Sequence, residues 1–258
     1  MLHTRSICLL LVCLLLVGCS SDVAPETAPP DYHLSPNYGK SLAIFGGSFS
    51  RIQASEVCKA YWQQQLGISW QDFGINGAGY SNKPQDPGVQ YQISQCQKRG
   101  GQYDLYLFWS PSNDFTKVGD NIGLQTDYTE ADNYDPAKLG TLLGGMNYCY
   151  QQIKQVHPEA EILLFTTLPV FHLGPKGYEP NNTDGIGLAQ YVDAEILWAK
   201  QHNVPYLDLF RLSGFTLDNY SQYYEPDALH PNRAGYDHLK QLTTDFLAYP
   251  QRVTHSKL

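Results

Sequence analysis

A short apolar stretch that ends in two glycines and a serine constrains the fold of this chain more than any other segment. Residues 41–50 read Ser-Leu-Ala-Ile-Phe-Gly-Gly-Ser-Phe-Ser, and the run Leu42–Phe45 has the length and composition of a buried strand. Gly46 and Gly47 allow the backbone to turn sharply where that strand ends. A serine at this point lies at the carboxyl edge of a sheet, where open α/β folds bind their ligands. Ser48 is therefore a candidate functional residue.

The remaining chain alternates between strand-like and helix-like segments, which is typical of an α/β fold with a mostly parallel sheet. The predicted strands are Leu42–Phe45, Trp70–Ile75, Tyr103–Trp109, Glu161–Leu168 and Pro205–Phe210. The predicted helices are Ile52–Leu66, Val89–Lys98, Lys138–Val156, Ile186–His202 and Ala234–Leu247. Two long segments, 114–136 and 170–184, fit neither pattern. Because each follows a predicted strand, we expect both to lie over the same sheet edge as Ser48.

The amino terminus has the layout of an export signal. Residues 1–18 carry Arg5 and then a nearly unbroken apolar run that is too short to span a bilayer. The run ends in Leu-Leu-Val-Gly-Cys19, which resembles a bacterial lipobox, and in such signals the cysteine becomes the lipidated first residue. An ordinary signal peptide or a short anchor is the alternative. We expect a flexible tether over 19–37, a folded domain over 38–250 and a tail over 251–258.

Charge and cysteine content limit the classes of partner. The net charge is −8, and no basic stripe occurs, so nucleic acid is not an expected partner. Beyond Cys19 three cysteines remain, Cys58, Cys96 and Cys149, which allow at most one disulfide within a monomer. Their spacing is not that of a zinc or redox site, and we expect neither a metal nor a cofactor.

A second candidate site lies near the carboxyl end, in the stretch Glu-Pro-Asp227-Ala-Leu-His230-Pro-Asn. A carboxylate three residues before a histidine, in a turn ahead of a helix, can accept a hydrogen bond from one ring nitrogen. The other nitrogen is then free to take a proton from a serine. Asp227 and His230 follow the last predicted strand, so they are expected at the same sheet edge as Ser48.

Four motifs in this order resemble those of the SGNH (GDSL-type) serine hydrolases over residues 41–247. Gly46-Gly47-Ser48-Phe49 resembles the Gly-Asp-Ser-Leu motif, and Asn76-Gly77-Ala78-Gly79 resembles the glycine motif after the second strand. Pro111-Ser112-Asn113-Asp114 resembles Gly-x-Asn-Asp, and 227–231 matches Asp-x-x-His-Pro. Two positions depart from the family pattern. Gly47 occupies the position of the aspartate in Gly-Asp-Ser-Leu, and Pro111 occupies the position of the glycine in Gly-x-Asn-Asp.

The resemblance implies a three-layer α/β/α, flavodoxin-like fold with a five-stranded sheet, and a role for each matching residue. Ser48 would be the nucleophile, His230 the general base and then acid, and Asp227 the carboxylate that orients the histidine. The oxyanion hole would comprise the backbone N–H groups of Ser48 and Gly77 and the side-chain amide of Asn113. A hydroxyl needs such a neighbouring base to attack at neutral pH, and the oxyanion needs fixed donors. Ser50 is a rival by proximity but is out of register with the motif.

The sequence constrains the identity of the substrate less than it constrains the type of reaction. Three tyrosines precede the Asp227 turn, and their rings could stack on a sugar or simply pack beneath the last loop: Tyr220, Tyr223 and Tyr224. No long apolar lid helix of the kind that serves acyl chains is evident. We therefore expect a serine esterase acting on acetyl or other small acyl groups carried by carbohydrate. A lysophospholipase or thioesterase, and a lipid-anchored glycan-binding protein without activity, are the alternatives.

The lipobox resemblance predicts that Cys19→Ala releases the protein from membranes or leaves an unprocessed precursor, because the lipid on Cys19 would supply the membrane affinity. Membrane fractionation and mass spectrometry of the mature amino terminus test this in a bacterial host. The expected location is the cell envelope, on a face toward the periplasm or the cell surface. A mature terminus at another residue with no lipid attached would contradict the prediction.

Overall fold

Five parallel strands form the sheet of the computed structural model, in the order β2-β1-β3-β4-β5. They are β1 (Ser41–Gly46), β2 (Ser69–Asp72), β3 (Leu105–Trp109), β4 (Glu161–Phe165) and β5 (Tyr206–Leu207). The structure describes residues 30–81, 87–115, 122–128, 136–171 and 187–253. The predicted α/β fold with a parallel five-stranded sheet is confirmed.

Helices cover both faces of this sheet. The α-helices of the described residues are α1 (Ser48–Arg51), α2 (Glu56–Leu66), α3 (Val89–Lys98), α4 (Pro136–Leu139), α5 (Leu142–Val156), α6 (Leu188–Gln201), α7 (Leu209–Leu212), α8 (Tyr220–Tyr223), α9 (Arg233–Ala248) and α10 (Pro250–Val253). Helices α2 and α9 pack against each other, while α5 packs against α3 and α6. The result is the three-layer α/β/α arrangement.

Successive side chains of β3 pack against the helical layers on opposite faces of the sheet. Phe108 contacts Trp198 of α6, with ring centroids 6.1 Å apart, and Trp109 contacts Trp62 of α2 on the other face at 5.7 Å. All four side chains are fully buried. Successive strand residues point to opposite faces, so a strand covered on both sides is apolar throughout, as β3 is.

Three strands end earlier than predicted: β4 stops at Phe165 rather than at Leu168, and a carboxylate closes each of the other two, β5 and β2. Asp208 accepts a hydrogen bond from the Arg211 N–H at 3.1 Å and caps α7, so the predicted strand Pro205–Phe210 stops at Leu207. In the same way Asp72 accepts from the Gly74 N–H at 2.8 Å, and β2 ends there rather than at Ile75. Both segments still lead to the carboxyl edge of the sheet, where Ser48 lies.

Two of the predicted helices differ from the structure by more than two residues at a boundary. The predicted helix Lys138–Val156 is two helices, because the Thr141 hydroxyl accepts from the Gly144 N–H at 2.9 Å and caps a new start. The predicted helix Ile52–Leu66 begins as a 3₁₀ turn and becomes α-helical only at Glu56.

The folded part begins before the predicted boundary at residue 38. Tyr32 is buried and donates a hydrogen bond to Asp245 of α9, while Ser35 and Asn37 donate to backbone carbonyls at the end of that helix. A flexible tether as far as residue 37 is thus wrong for residues 32–37. At the other end, α10 extends to Val253, past the predicted start of the tail.

Several sequence predictions fall outside the described residues. These are the signal peptide over 1–18, the lipid site at Cys19, the tether up to residue 29, and most of the segments 114–136 and 170–184. None of the helices that the structure describes is long and apolar enough to cross a membrane. The three domain cysteines, Cys58, Cys96 and Cys149, are buried free thiols.

Candidate active site

Ser48 lies where β1 ends and α1 begins, at a point of very close backbone packing. A Cβ atom on Gly46 would lie 2.3 Å from the Trp109 carbonyl oxygen, and one on Gly47 would lie 2.7 Å from the Cβ of Pro111. Only glycine allows these approaches. The buried Gln92 amide of α3 bonds both the N–H and the carbonyl of Gly46, at 2.9 and 2.8 Å, which fixes the end of the strand.

Three side chains form a continuous hydrogen-bonded chain at this edge. The Nε2 atom of His230 lies 2.8 Å from the Ser48 hydroxyl oxygen, and its Nδ1 atom lies 2.7 Å from Oδ2 of Asp227. The three residues predicted as nucleophile, base and orienting carboxylate are therefore together in space, although 182 positions separate Ser48 from His230. In the described residues, no group of three or more His, Cys, Asp or Glu side chains is placed to hold a metal ion.

The Asp227 carboxylate is held in its charged form. Partial burial by itself would raise its pKa, but hydrogen bonds from the His230 ring and from the backbone N–H groups of His230 and Leu229 outweigh that effect and lower the pKa. A charged acceptor beside Nδ1 favours a proton on that nitrogen, which suits Nε2 to accept a hydrogen bond from the serine.

The loop that carries both residues is closed at its two ends. Tyr224 and Pro231 form an antiparallel bridge, and the Glu225 N–H donates to the His230 carbonyl at 2.8 Å. Ala228 turns the loop in the left-handed region, with φ of 54°. This closed turn holds the imidazole against Ser48 and Phe49 of α1 before helix α9 begins.

Tyr236 and Phe49 support the imidazole, and the sequence interpretation did not identify either. The Tyr236 hydroxyl, fully buried, donates to the Phe49 carbonyl at 2.7 Å and so connects α9 with α1. The Phe49 ring meets the His230 ring edge to face, with centroids 6.2 Å apart. Two sequence features point to these residues: Phe49 directly follows the candidate serine, and Tyr236 lies on the apolar face of the last predicted helix.

The predicted oxyanion-hole residues lie on loops that are bound to each other. Gly77 has φ of 82°, a left-handed conformation that favours glycine. The next loop carries Asn113 and Asp114, and the Asp114 carboxylate accepts from the Tyr80 and Ser81 N–H groups, both at 2.8 Å. Asn113 lies beside Gly47, with Oδ1 3.4 Å from where a Cβ there would be. The Asn113 side chain thus lies at the same sheet edge as Ser48.

Ser50 is excluded as a nucleophile by its position. Its side chain is fully buried, and its hydroxyl is within 3.3 Å of both the Gly47 carbonyl oxygen and the Asp72 carboxylate. It therefore has no access to a substrate.

An open cleft of about 480 Å³ adjoins the imidazole. Asp227 and His230 form one side of it. The remaining lining residues include three polar and two apolar side chains: Gln53, Glu225, Arg233, Ile52 and Ala54. None of the salt bridges between described residues involves Arg233 or Glu225.

The three tyrosines before the turn pack within the protein. The Tyr224 hydroxyl donates to the Pro169 carbonyl at 2.7 Å, Tyr220 stacks on Phe171, and Tyr223 lies against the His238 ring. Burial of Tyr224 favours a packing role for this ring, whereas Tyr220 and Tyr223 are partly exposed.

Comparison with known proteins gives a consistent result. A family model described as GDSL-like Lipase/Acylhydrolase family matches residues 39–238. A protein from Lactobacillus plantarum has a similar structure, with a TM-score of 0.64, 18% identity and coverage of 81% of this chain and 97% of that one. No curated protein sequence matches the chain significantly.

Two further solved structures carry descriptions of activity. A lipase/acylhydrolase from Enterococcus faecalis has a TM-score of 0.53 at 14% identity, covering 85% of this chain and 100% of that one. A catalytic mutant of an acetylxylan esterase from Geobacillus stearothermophilus has a TM-score of 0.52 at 13% identity, covering 84% and 97%. At these identities the similarity concerns the fold.

The contact between positions 47 and 111 predicts that their substitutions are coupled. Gly47→Ala should destabilise the protein by about 1–3 kcal/mol, because the new methyl group overlaps Pro111. The penalty should shrink when Pro111→Gly is already present. Denaturant unfolding of the four proteins of this double-mutant cycle measures the coupling. Equal penalties in both backgrounds would contradict the prediction.

Proposed function

The chain belongs to the GDSL-like lipase/acylhydrolase family and is a hydrolase, and on that premise we propose that it cleaves carboxylic esters with Ser48, His230 and Asp227. The observation that carries the proposal is the unbroken hydrogen-bonded chain from Asp227 through His230 to the Ser48 hydroxyl, at 2.7 and 2.8 Å. We further propose that its substrates are small acyl groups, acetyl above all, on carbohydrate.

The first half-reaction is acylation of the serine. The Ser48 hydroxyl oxygen attacks the ester carbonyl carbon while its proton passes to Nε2 of His230. Asp227 accepts the Nδ1–H hydrogen bond and stabilises the imidazolium. The negative charge that forms on the carbonyl oxygen is bound by the N–H groups of Ser48 and Gly77 and by the Asn113 amide.

Collapse of the tetrahedral intermediate breaks the ester bond and releases the alcohol. His230 gives the proton that it took from Ser48 to the departing alcohol oxygen, which leaves an acyl-serine. A water molecule then attacks the acyl carbon, losing its proton to His230, and the carboxylic acid departs as Ser48 recovers its proton. No cofactor enters either half of this cycle.

The cleft beside His230 supports a polar alcohol as leaving group. Because His230 protonates the leaving oxygen, the alcohol part of the substrate lies on the side of Nε2, next to this cleft. Gln53, Glu225 and Arg233 offer donors and acceptors there, and planar groups of this kind bond sugar hydroxyls well. The acetylxylan esterase with a similar fold is in keeping with such a substrate.

The location of the enzyme is part of the proposal. We propose that lipid on Cys19 anchors the domain at the bacterial envelope, where acylated glycans are accessible. The basis is the lipobox-like sequence at 15–19 alone. Phospholipids and thioesters remain the competing substrate classes within the family.

The proposed mechanism predicts different losses for two variants. Asn113→Ala removes one oxyanion donor, so kcat on a chromogenic acetate should fall by about 10²–10³ with KM little changed. Ser48→Ala should cost up to roughly 10⁶. Steady-state kinetics with fluorophosphonate labelling of Ser48 measure both effects. An active Ser48→Ala variant would overturn the mechanism, and absence of hydrolysis in wild type would favour a glycan-binding role.

The proposed sugar site predicts a change in substrate preference. Arg233→Gln should lower kcat/KM about tenfold or more for an acetylated xyloside, because a charged hydrogen-bond donor is lost. The loss on 4-nitrophenyl acetate, which has no hydroxyl groups, should be smaller. Lys98→Gln, at the carboxyl end of α3, is the matched control for net charge. Equal losses on the two substrates would show that the cleft does not bind the sugar.

A further inference from the structure

Two opposite charges are buried beneath the helix that carries Ser48. The Lys59 ammonium of α2 lies 3.0 Å from the carboxylate of Asp72, and the two side chains are 0% and 1% exposed. Removing both charges from water has a large free-energy cost, so an apolar pair of similar volume often stabilises a protein as much or more. Stability alone is thus a weak explanation for this ion pair.

Lys59 binds the nucleophile segment directly. Its ammonium donates to the Ser50 carbonyl oxygen at 2.8 Å, two residues after Ser48. The other two acceptors are the carboxylates of Asp72, at 3.0 Å, and Glu56, at 2.6 Å. All three N–H groups of the ammonium therefore have a partner, and one of them fixes the backbone of α1.

Asp72 connects that segment with the loop leading to the oxyanion hole. One carboxylate oxygen accepts from the Ser50 hydroxyl at 3.3 Å and from the Gly74 N–H at 2.8 Å. Gly74 begins the loop that reaches Gly77. The Ile75 N–H then donates to the Gly46 carbonyl at 3.1 Å, so this loop is bound to β1 immediately before the turn.

Gly74 is required for this arrangement. A Cβ atom at that position would lie 2.4 Å from the Ser50 hydroxyl oxygen and 2.8 Å from the Asp72 carboxylate oxygen. A side chain there would push the Ser50 segment and the loop apart without altering any charge.

We propose that Lys59 and Asp72 are positioning residues that set the distance between the Ser48 hydroxyl and the Gly77 oxyanion donor. The proposal rests on the proposed function, since it assigns both groups to one transition state. Displacement of a reacting group by about 1 Å can cost 10²-fold in rate, so the ion pair acts on kcat. Substrate binding involves other residues, and KM should change little.

The test compares Lys59→Met, Asp72→Asn, the double variant Lys59→Met/Asp72→Leu, and Gly74→Ala. The melting temperature of each variant is measured first. The kcat and KM values on a chromogenic acetate are then measured well below the lowest of these temperatures. Lys59→Met leaves the buried Asp72 carboxylate without its cation, and Asp72→Asn leaves Lys59 with Glu56 as its only carboxylate partner, so each single variant should lose stability. The double variant should recover much of the melting temperature while kcat stays about tenfold to hundredfold below wild type.

Ile153→Ala is the control for loss of stability, because Ile153 is buried in α5, in the opposite helical layer. It should lower the melting temperature and leave kcat as in wild type. A double variant with wild-type kcat would overturn the proposal.

Gly74→Ala keeps the test decisive if the double variant does not fold. It preserves both charges and should still lower kcat with KM retained, whereas wild-type kcat in this variant would overturn the proposal. Failure of the proposed function is a separate result: it would appear as a Ser48→Ala variant with undiminished activity.

Discussion

At the carboxyl ends of β1 and β3 the two backbones lie so close that a Cβ atom on Gly46 would be 2.3 Å from the Trp109 carbonyl oxygen. This contact brings the segment bearing Ser48 beside the segment bearing Asn113. A second close approach joins the two positions that depart from the family motifs. A Cβ atom on Gly47 would lie 2.7 Å from the Cβ of Pro111, so a side chain at position 47 does not fit beside this proline.

The sequence predicted the architecture well where the pattern was purely local. All five predicted strands overlap an observed strand, and the order of the motifs located Ser48 and the pair Asp227 and His230. The errors concern segments whose ends depend on single side chains. Asp208 and Thr141 cap helices by accepting hydrogen bonds from backbone N–H groups. The spacing of apolar residues does not predict such bonds.

Gln92 and Lys59, which support the site, were not predicted, because the segment that each of them fixes lies on another element. Gln92 and Lys59 lie on the buried faces of α3 and α2, where a polar residue breaks the apolar pattern. That irregularity is visible in the sequence, but the partners at Gly46 and Asp72 are not. Likewise, the sequence around Ser35 and Asn37 has the composition of a linker. Their partners at the end of α9, more than 200 residues away, are evident only in the folded structure.

The separation of 182 residues between Ser48 and His230 has a consequence for the order in which the protein matures. The proposed base, His230, can meet the proposed nucleophile, Ser48, only after every strand of the sheet has been synthesised and the turn 224–231 has docked on α1. Long-range contacts of this kind form late, since loop closure must precede them. A partly synthesised or partly folded chain therefore carries Ser48 without His230 beside it. Regain of esterase activity on refolding would report completion of the whole domain, whereas recovery of helical signal would precede it.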